Sequence, residues 1–345
     1  MPTLSVRRPP SATCSPGDRP RFRIGSKGPR TTAVLDPRPV CIPGLALLLA
    51  CHGGGAAAVG HCAVFPPDDP WNTDVSGLPV NPLSDAWITS MGKRALFVGD
   101  TIGVSVVGSS QPETAVTFDS PVNSDAGPYK IPDDAAISTS DRRVVVVDED
   151  ACKLYELYGV HAKAPWSAAY GSVFDMHGGE TRSTGWKRSG GQGLDPPHDC
   201  SGLPVYPGLI RYDELVGDGA IHHALRVNSE YSQRGFVPPA IHAGSVFEDP
   251  NMPPMGGRLR LRANVSCATF SPAGQALCTT LKTYGLLLSH NGATWSMSAQ
   301  ADPRWAKGAF SDLSKLHGSD FDFLDTGKVS TYAWGMGLPG VPPTP

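Results

Sequence analysis

Glycine and proline interrupt this chain too often to leave room for long helices. Its 345 residues include 39 glycines and 34 prolines. Proline removes a backbone donor and clashes with the preceding helical turn, and glycine gives up about 1 kcal/mol relative to alanine in a helix interior. Between the breaks lie short runs with strand character: 95–107, 114–118, 144–148, 152–158, 208–215, 220–228, 258–265, 284–289 and 294–298. In 152–158, Leu154, Glu156 and Tyr158 alternate with Lys153, Tyr155 and Leu157, so both faces are partly apolar. Such a strand belongs in the middle of a sheet, with a partner for Glu156. Three segments carry helix start signals: Asn81-Pro82, ending at Gly92; Ser271-Pro272, ending at Gly285; and Asp302-Pro303, ending at Gly318. The expected class is mainly β, a sandwich or jelly-roll of antiparallel sheets with a few peripheral helices.

The apolar run Leu45–Ala50 ends in Leu48-Leu49-Ala50-Cys51, the pattern read by the lipoprotein signal peptidase, with Arg7, Arg8, Arg19, Arg21 and Arg23 upstream. The expectation is an export segment over 1–51 with lipidation at Cys51, the alternative being an ordinary secretory signal cut within 56–60. The run is far short of the roughly 20 apolar residues that span a bilayer. A flexible linker is expected at 52–61, a single β-rich domain at 62–334 and a disordered tail at 335–345. The expected address is the bacterial cell envelope, or the medium if the chain is secreted, with the lipid at Cys51 as the only membrane attachment.

Charge excludes one class of partner. Charged residues make up 18% of the chain and the formal net charge is −3, so there is no broad basic field for nucleic acid. No Walker-type phosphate loop and no G-x-S-x-G elbow occurs, and no cofactor is expected. An exported chain meets oxidising conditions, and its cysteines are expected to pair as Cys62 with Cys152 and Cys267 with Cys278, leaving Cys200 over. With no CxxC pair in the sequence, structural zinc is not expected.

The densest chemistry lies in Arg211-Tyr-Asp-Glu-Leu215, Val216-Gly-Asp-Gly219 and Ala220-Ile-His-His-Ala-Leu-Arg226. Read as a β-hairpin turning at Asp218, it sets Glu214 opposite His222 and Asp213 opposite His223, the second pair within an apolar patch. A carboxylate that orients a histidine makes a general acid or base, and Arg226 would hold an anionic substrate group or lock a carboxylate. His242 follows closely enough to return to the same region. The candidate catalytic residues are therefore Asp213, Glu214, His223, Arg226 and His242. The alternative is a buried carboxylate–histidine pair that satisfies two polar groups and does no chemistry. The histidine spacing matches no metal motif, and no metal is expected.

The ordered segments Cys62–Asn72, Gly127–Pro132, Arg143–Asp148, Cys152–Tyr158, Gly202–Glu214, His223–Arg226, Pro253–Leu261 and Asp302–Trp305 resemble a family of exported actinobacterial and myxobacterial proteins. The resemblance covers nearly all of the chain after Cys62. It implies domain extent and export, favours His223 over His222, and carries no activity. The stretch 178–200 departs from that pattern, which removes support for a role of His198 or Cys200.

These readings converge on an envelope enzyme acting on a polysaccharide, as glycoside hydrolase or lyase. Asp213 or Glu214 would supply one carboxylate and Glu156 or Asp175 the other. Trp71, Trp166, Trp186, Trp295 and Trp305 are candidates for sugar stacking, although core packing is the commoner fate of tryptophan. The alternative is a non-catalytic surface lipoprotein that binds glycan or a partner protein. An enzyme should gather Asp213, His223, Arg226 and His242 in one concave pocket, whereas a binder can scatter them.

Overall fold

The computed structural model describes residues 58–60, 62–121, 124–178 and 200–331. The expected export segment with Cys51, most of the 178–202 loop including Trp186, and the expected tail lie outside them. After a minimal ribbon of β1 (Ala58–Val59) and β2 (Cys62–Ala63) come helix α1 (Ser84–Met91) and strands β3 (Phe97–Ile102), β4 (Val104–Val107) and β5 (Val116–Phe118). They are followed by β6 (Val144–Asp148), β7 (Lys153–Ala162), β8 (Trp166–Asp175), β9 (Leu225–Ser229) and β10 (Arg258–Leu261). Helix α2 (Pro272–Thr283), β11 (Leu286–Asn291), β12 (Ser296–Gln300) and β13 (Phe321–Phe323) complete the order.

Two sheets face one another. The first runs β13-β10-β11-β9-β12-β3 and the second β4-β6-β7-β8-β5. The chain is mainly β and sandwich-like, as its punctuation implied, but both sheets are mixed. β9 with β11, β3 with β12, β4 with β6, and β5 with β8 are parallel. The run 95–107 is two strands because Gly103 breaks it. A Cβ there would meet the Ala136 Cβ at 2.4 Å, and the break hands the chain from the edge of one sheet to the edge of the other.

Alternation explains the layers. In β6, which is buried throughout, Val145 and Val147 enter the core between the sheets and Val144 and Val146 the core on the far side. In β7, Leu154 faces the inter-sheet core while Tyr155 and Leu157 face outward, where 112–138 covers them. Glu156 points between the sheets and accepts hydrogen bonds from the Val205 and Tyr206 amides at 2.8–3.1 Å, the partnership its position demanded. The first sheet packs its other face on α1 and α2 through Leu225, Val227, Leu259, Leu286 and Phe323. α2 begins as expected, its Ser271 side chain accepting from the Gly274 amide.

In β10, Leu259 and Leu261 enter the helix-side core, so Arg258 and Arg260 take the opposite face. There they serve an irregular arm whose carbonyls have no strand partner. Arg258 donates to Pro70 O at 2.7 Å, and Arg260 Nη1 donates to the carbonyls of Val75, Ser76 and Leu78 at 2.6–3.0 Å.

The Cys62–Cys152 and Cys267–Cys278 disulfides are both present. On the chain-entropy view, spans of 90 and 11 residues contribute roughly 4–5 and 3 kcal/mol. They imply an oxidising environment. Cys200 is also disulfide-bonded, which corrects the expectation of a leftover thiol. Cys14, Cys41 and Cys51, the cysteines left to partner it, lie outside the described residues. No helix among the described residues is long and apolar enough to cross a membrane.

Two expectations about 208–228 and 302–316 fail. Asp213–Asp218 is a π-helical turn, strand pairing resumes only at Leu225, and 302–316 holds a short 3-10 turn, Ser311–Lys315, in place of a helix. Gly217-Asp218-Gly219, read as a hairpin tip, instead ends the turn. Gly219 takes φ 72° and its N–H caps Glu214 O, the left-handed helix stop that glycine provides.

Candidate functional site

Winding 211–218 as a helical turn replaces cross-strand partners with partners three residues apart. Arg211 Nη2 reaches Glu214 Oε1 at 2.6 Å, while Arg211 Nη1 donates to Tyr206 O at 2.9 Å and the guanidinium stacks 4.8 Å from the Tyr206 ring. The second Glu214 oxygen faces His223 Nε2 at 3.1 Å, and His223 Nδ1 lies 2.7 Å from Ala224 O. The histidine partner is thus Glu214, not Asp213, and the Asp213–His223 pair of the hairpin register does not form.

Arg211, Glu214 and His223 are all buried. Burial pushes the Glu214 carboxyl up, but Arg211 and then His223 outweigh it and hold it at about 2. Burial, followed by Arg211, drives the His223 pKa down, against the pull of Glu214. The result is a carboxylate clamped inside the core between the Arg211 cation and an imidazole whose protonated form burial disfavours.

The other expected residues go elsewhere. Asp213 is 75% exposed and pairs with Arg304 Nη1 at 2.7 Å. Arg226 lies on the inter-sheet face of β9, where its Nη1 donates to Ser298 Oγ at 3.1 Å. Asp141 lies within its field and is hydrogen-bonded to Arg143, whose guanidinium sits 5.3 Å over the Tyr158 ring. Burial works against ionisation of Asp141, but Arg143 prevails and its pKa is lowered. His242 is buried with Nδ1 3.2 Å from Cys200 O, and His222 rests edge-on against Tyr284. Of the second carboxylates, Glu156 is occupied by the amides of Val205 and Tyr206, and Asp175 sits exposed at the end of β8 beside the His177 amide. Among the described residues, no three His, Cys, Asp or Glu side chains gather as a metal-binding group.

The structure assembles a different group on the surface. Tyr212, just ahead of the buried triad, carries the Arg304 guanidinium 4.1 Å over its ring and meets Trp305 at 4.9 Å, which meets Phe310 at 4.8 Å. Asp302 grips Arg304 from the other side at 2.6 Å, and Trp305 Nε1 donates to Gln300 O at 2.8 Å. Trp71, Trp87, Trp166 and Trp295 are core residues; among the described tryptophans only Trp305 is partly exposed. The sequence did carry a signal for the triad, because Arg211-x-x-Glu214 has the spacing of a helical ion pair. The surface group joins residues some ninety positions apart, and no local pattern announces it.

No family model, curated protein or solved structure matches the chain.

Proposed function

We propose that this is an exported envelope protein that binds glycan at its surface and does not cleave it. One observation carries the reading: the residues that polysaccharide cleavage would have to bring together lie in separate places, Asp213 on the surface, Glu214 and His223 in the core, Arg226 between the sheets and His242 against Cys200. General acid–base chemistry needs its groups within hydrogen-bond reach of one bond, and a glycosidase needs two carboxyls on either side of it. The Tyr212–Arg304–Trp305 group suits recognition instead, with aromatic surface for the apolar faces of sugar rings and the exposed carboxylate of Asp213 to accept hydroxyl hydrogens.

The oxidising environment implied by the disulfides supports export. Cys200 bears on the anchor: cleavage ahead of Cys51 with lipidation of its thiol would remove or consume every cysteine left to pair with Cys200, so the Cys200 disulfide argues against lipidation at Cys51.

The test is a panel of neutral and acidic polysaccharides presented to the full chain produced under oxidising conditions, with binding and turnover followed together. Saturable binding without turnover, weakened tenfold or more in Trp305→Ala and in Arg304→Ala with unfolding midpoints retained, is the expected result. Turnover that disappears in both Asp213→Asn and His223→Ala, with folding intact, would establish the enzyme reading in its place.

A further inference from the structure

The strongest feature outside these groups is a surface depression of about 450 Å³ where the end of β10, the last turn of α2 and the arm at Ser76 meet. Three cations line it, Arg260, Arg262 and Lys282, against one acid, Asp322. Their roles differ. Arg262 is balanced, with Nε and Nη2 each 2.8 Å from Asp322 Oδ1 and Asp85 and Asp320 nearby. Arg260 and Lys282 are held only by neutral groups. Lys282 Nζ donates to Ala263 O at 3.1 Å and Val265 O at 2.7 Å, and Arg260 Nη1 donates to three arm carbonyls.

Backbone carbonyls fix an orientation without cancelling a charge, so two positive charges are held beside an open hollow. Arg260 Nε and Nη2, the edge that grips two oxygens at once, bond to no group of the protein, and one Lys282 N–H is likewise uncommitted.

We infer that this depression binds an oxyanion, with Arg260 gripping two of its oxygens and Lys282 supplying a point charge. The chemistry fits a phosphate or sulfate ester and also a uronate carboxylate. The site lies apart from the Trp305 group in residues and chemistry, and it stands whether or not that group binds glycan.

Calorimetric titration of the full chain at low ionic strength with inorganic phosphate, sulfate and glucuronate tests it. Tetrahedral anions binding at least fivefold tighter than glucuronate would assign an ester, and the reverse order a uronate. In either case Lys282→Gln should weaken binding tenfold or more, and Arg260→Lys, which keeps the charge and loses the two-pronged edge, should weaken it by a similar factor. Lys307→Gln, outside the depression, should bind like the wild type. Because Arg260 also pins the arm, its variant counts only with an unchanged circular dichroism spectrum, and Lys282→Gln decides the matter alone if that spectrum changes. No saturable binding of any of the three anions, or equal affinity in Lys282→Gln and wild type, overturns the assignment.

Discussion

Glu214 and Asp69 are both buried carboxyls with a buried arginine beside them, and their pKa values move in opposite directions. Arg211 aims a donor at Glu214 from 2.6 Å, with His223 on the other oxygen, and the Glu214 pKa is held at about 2. Arg258 instead spends its donors on the carbonyls of Pro70 and Thr73, while Asp69 takes one hydrogen bond, from the Trp71 amide, and its Oδ2 has no partner. Burial therefore dominates, and Asp69 is pushed up to about 6, while burial lowers Arg258 to about 9. What decides the direction in which a buried carboxyl's pKa moves is thus where the arginine donors point, more than whether an arginine is near.

The comparison breaks most visibly at Glu214. Glu214→Gln leaves Arg211 as an uncompensated buried cation, and the expected loss is about 3–5 kcal/mol in a urea titration at pH 7. The pH dependence has a definite sign. Because the folded pKa of Glu214 is depressed from 4.5 to about 2, its contribution is full above pH 4.5 and fades as pH falls toward 2. Wild type and variant should therefore converge as pH falls from 4.5 toward 2, and curves that stay parallel across that window would dismiss the clamp.

At Asp69 the sign reverses and the effect is smaller. Its folded pKa is raised from 3.8 to about 6, so it favours folding fully below pH 3.8 and that contribution is lost as pH rises through 6. Asp69→Asn keeps an oxygen for the Trp71 amide and removes the cost of ionisation. Each tenfold change in proton affinity between the folded and unfolded chain is worth about 1.4 kcal/mol, so the variant should be more stable than wild type by roughly 2–3 kcal/mol at pH 7 and close to it at pH 4. A destabilised variant at pH 7 would mean that Arg258 stabilises the Asp69 carboxylate directly.

Much of the scaffold was legible because it follows local rules. Val144–Asp148, the twofold alternation from Lys153, the Ser271-Pro272 helix start and the pairing of Cys62 and Cys267 with their partners all appear where the sequence put them. The site was legible only in part. Asp213-Glu214 and His223 announced a carboxylate–histidine contact, but two glycines around Asp218 suit both a hairpin tip and the left-handed end of a helical turn. Strand register and helical winding then give different partners to the same residues. The ion-pair spacing of Arg211 and Glu214 was the local signal that distinguished them. Asp302-Pro303 misled for a related reason: a sound helix start was followed by Gly308 at φ 78° with nothing to continue the winding, and only a short 3-10 turn forms beyond it. Parallel pairings such as β3 with β12 join segments far apart in sequence, and strand periodicity does not encode direction.

The smallest expected effect is at Asp213, and it sharpens the comparison by removing sequence position as a variable. Asp213 and Glu214 are consecutive, yet the helical turn sends one side chain outward and the next into the core. The outward carboxylate meets Arg304 in water, where screening and side-chain entropy cancel most of an ion pair, and Asp302 remains to hold Arg304 over Tyr212. Asp213→Asn should therefore shift the unfolding midpoint by about 1 °C or less, with a pH profile that overlays the wild type between pH 3 and pH 7. A larger shift, or an altered acid limb, would mean that Asp213 reaches the buried His223 after all, as the hairpin register required, and that the turn over Asp213–Asp218 is wound differently from the structure described above.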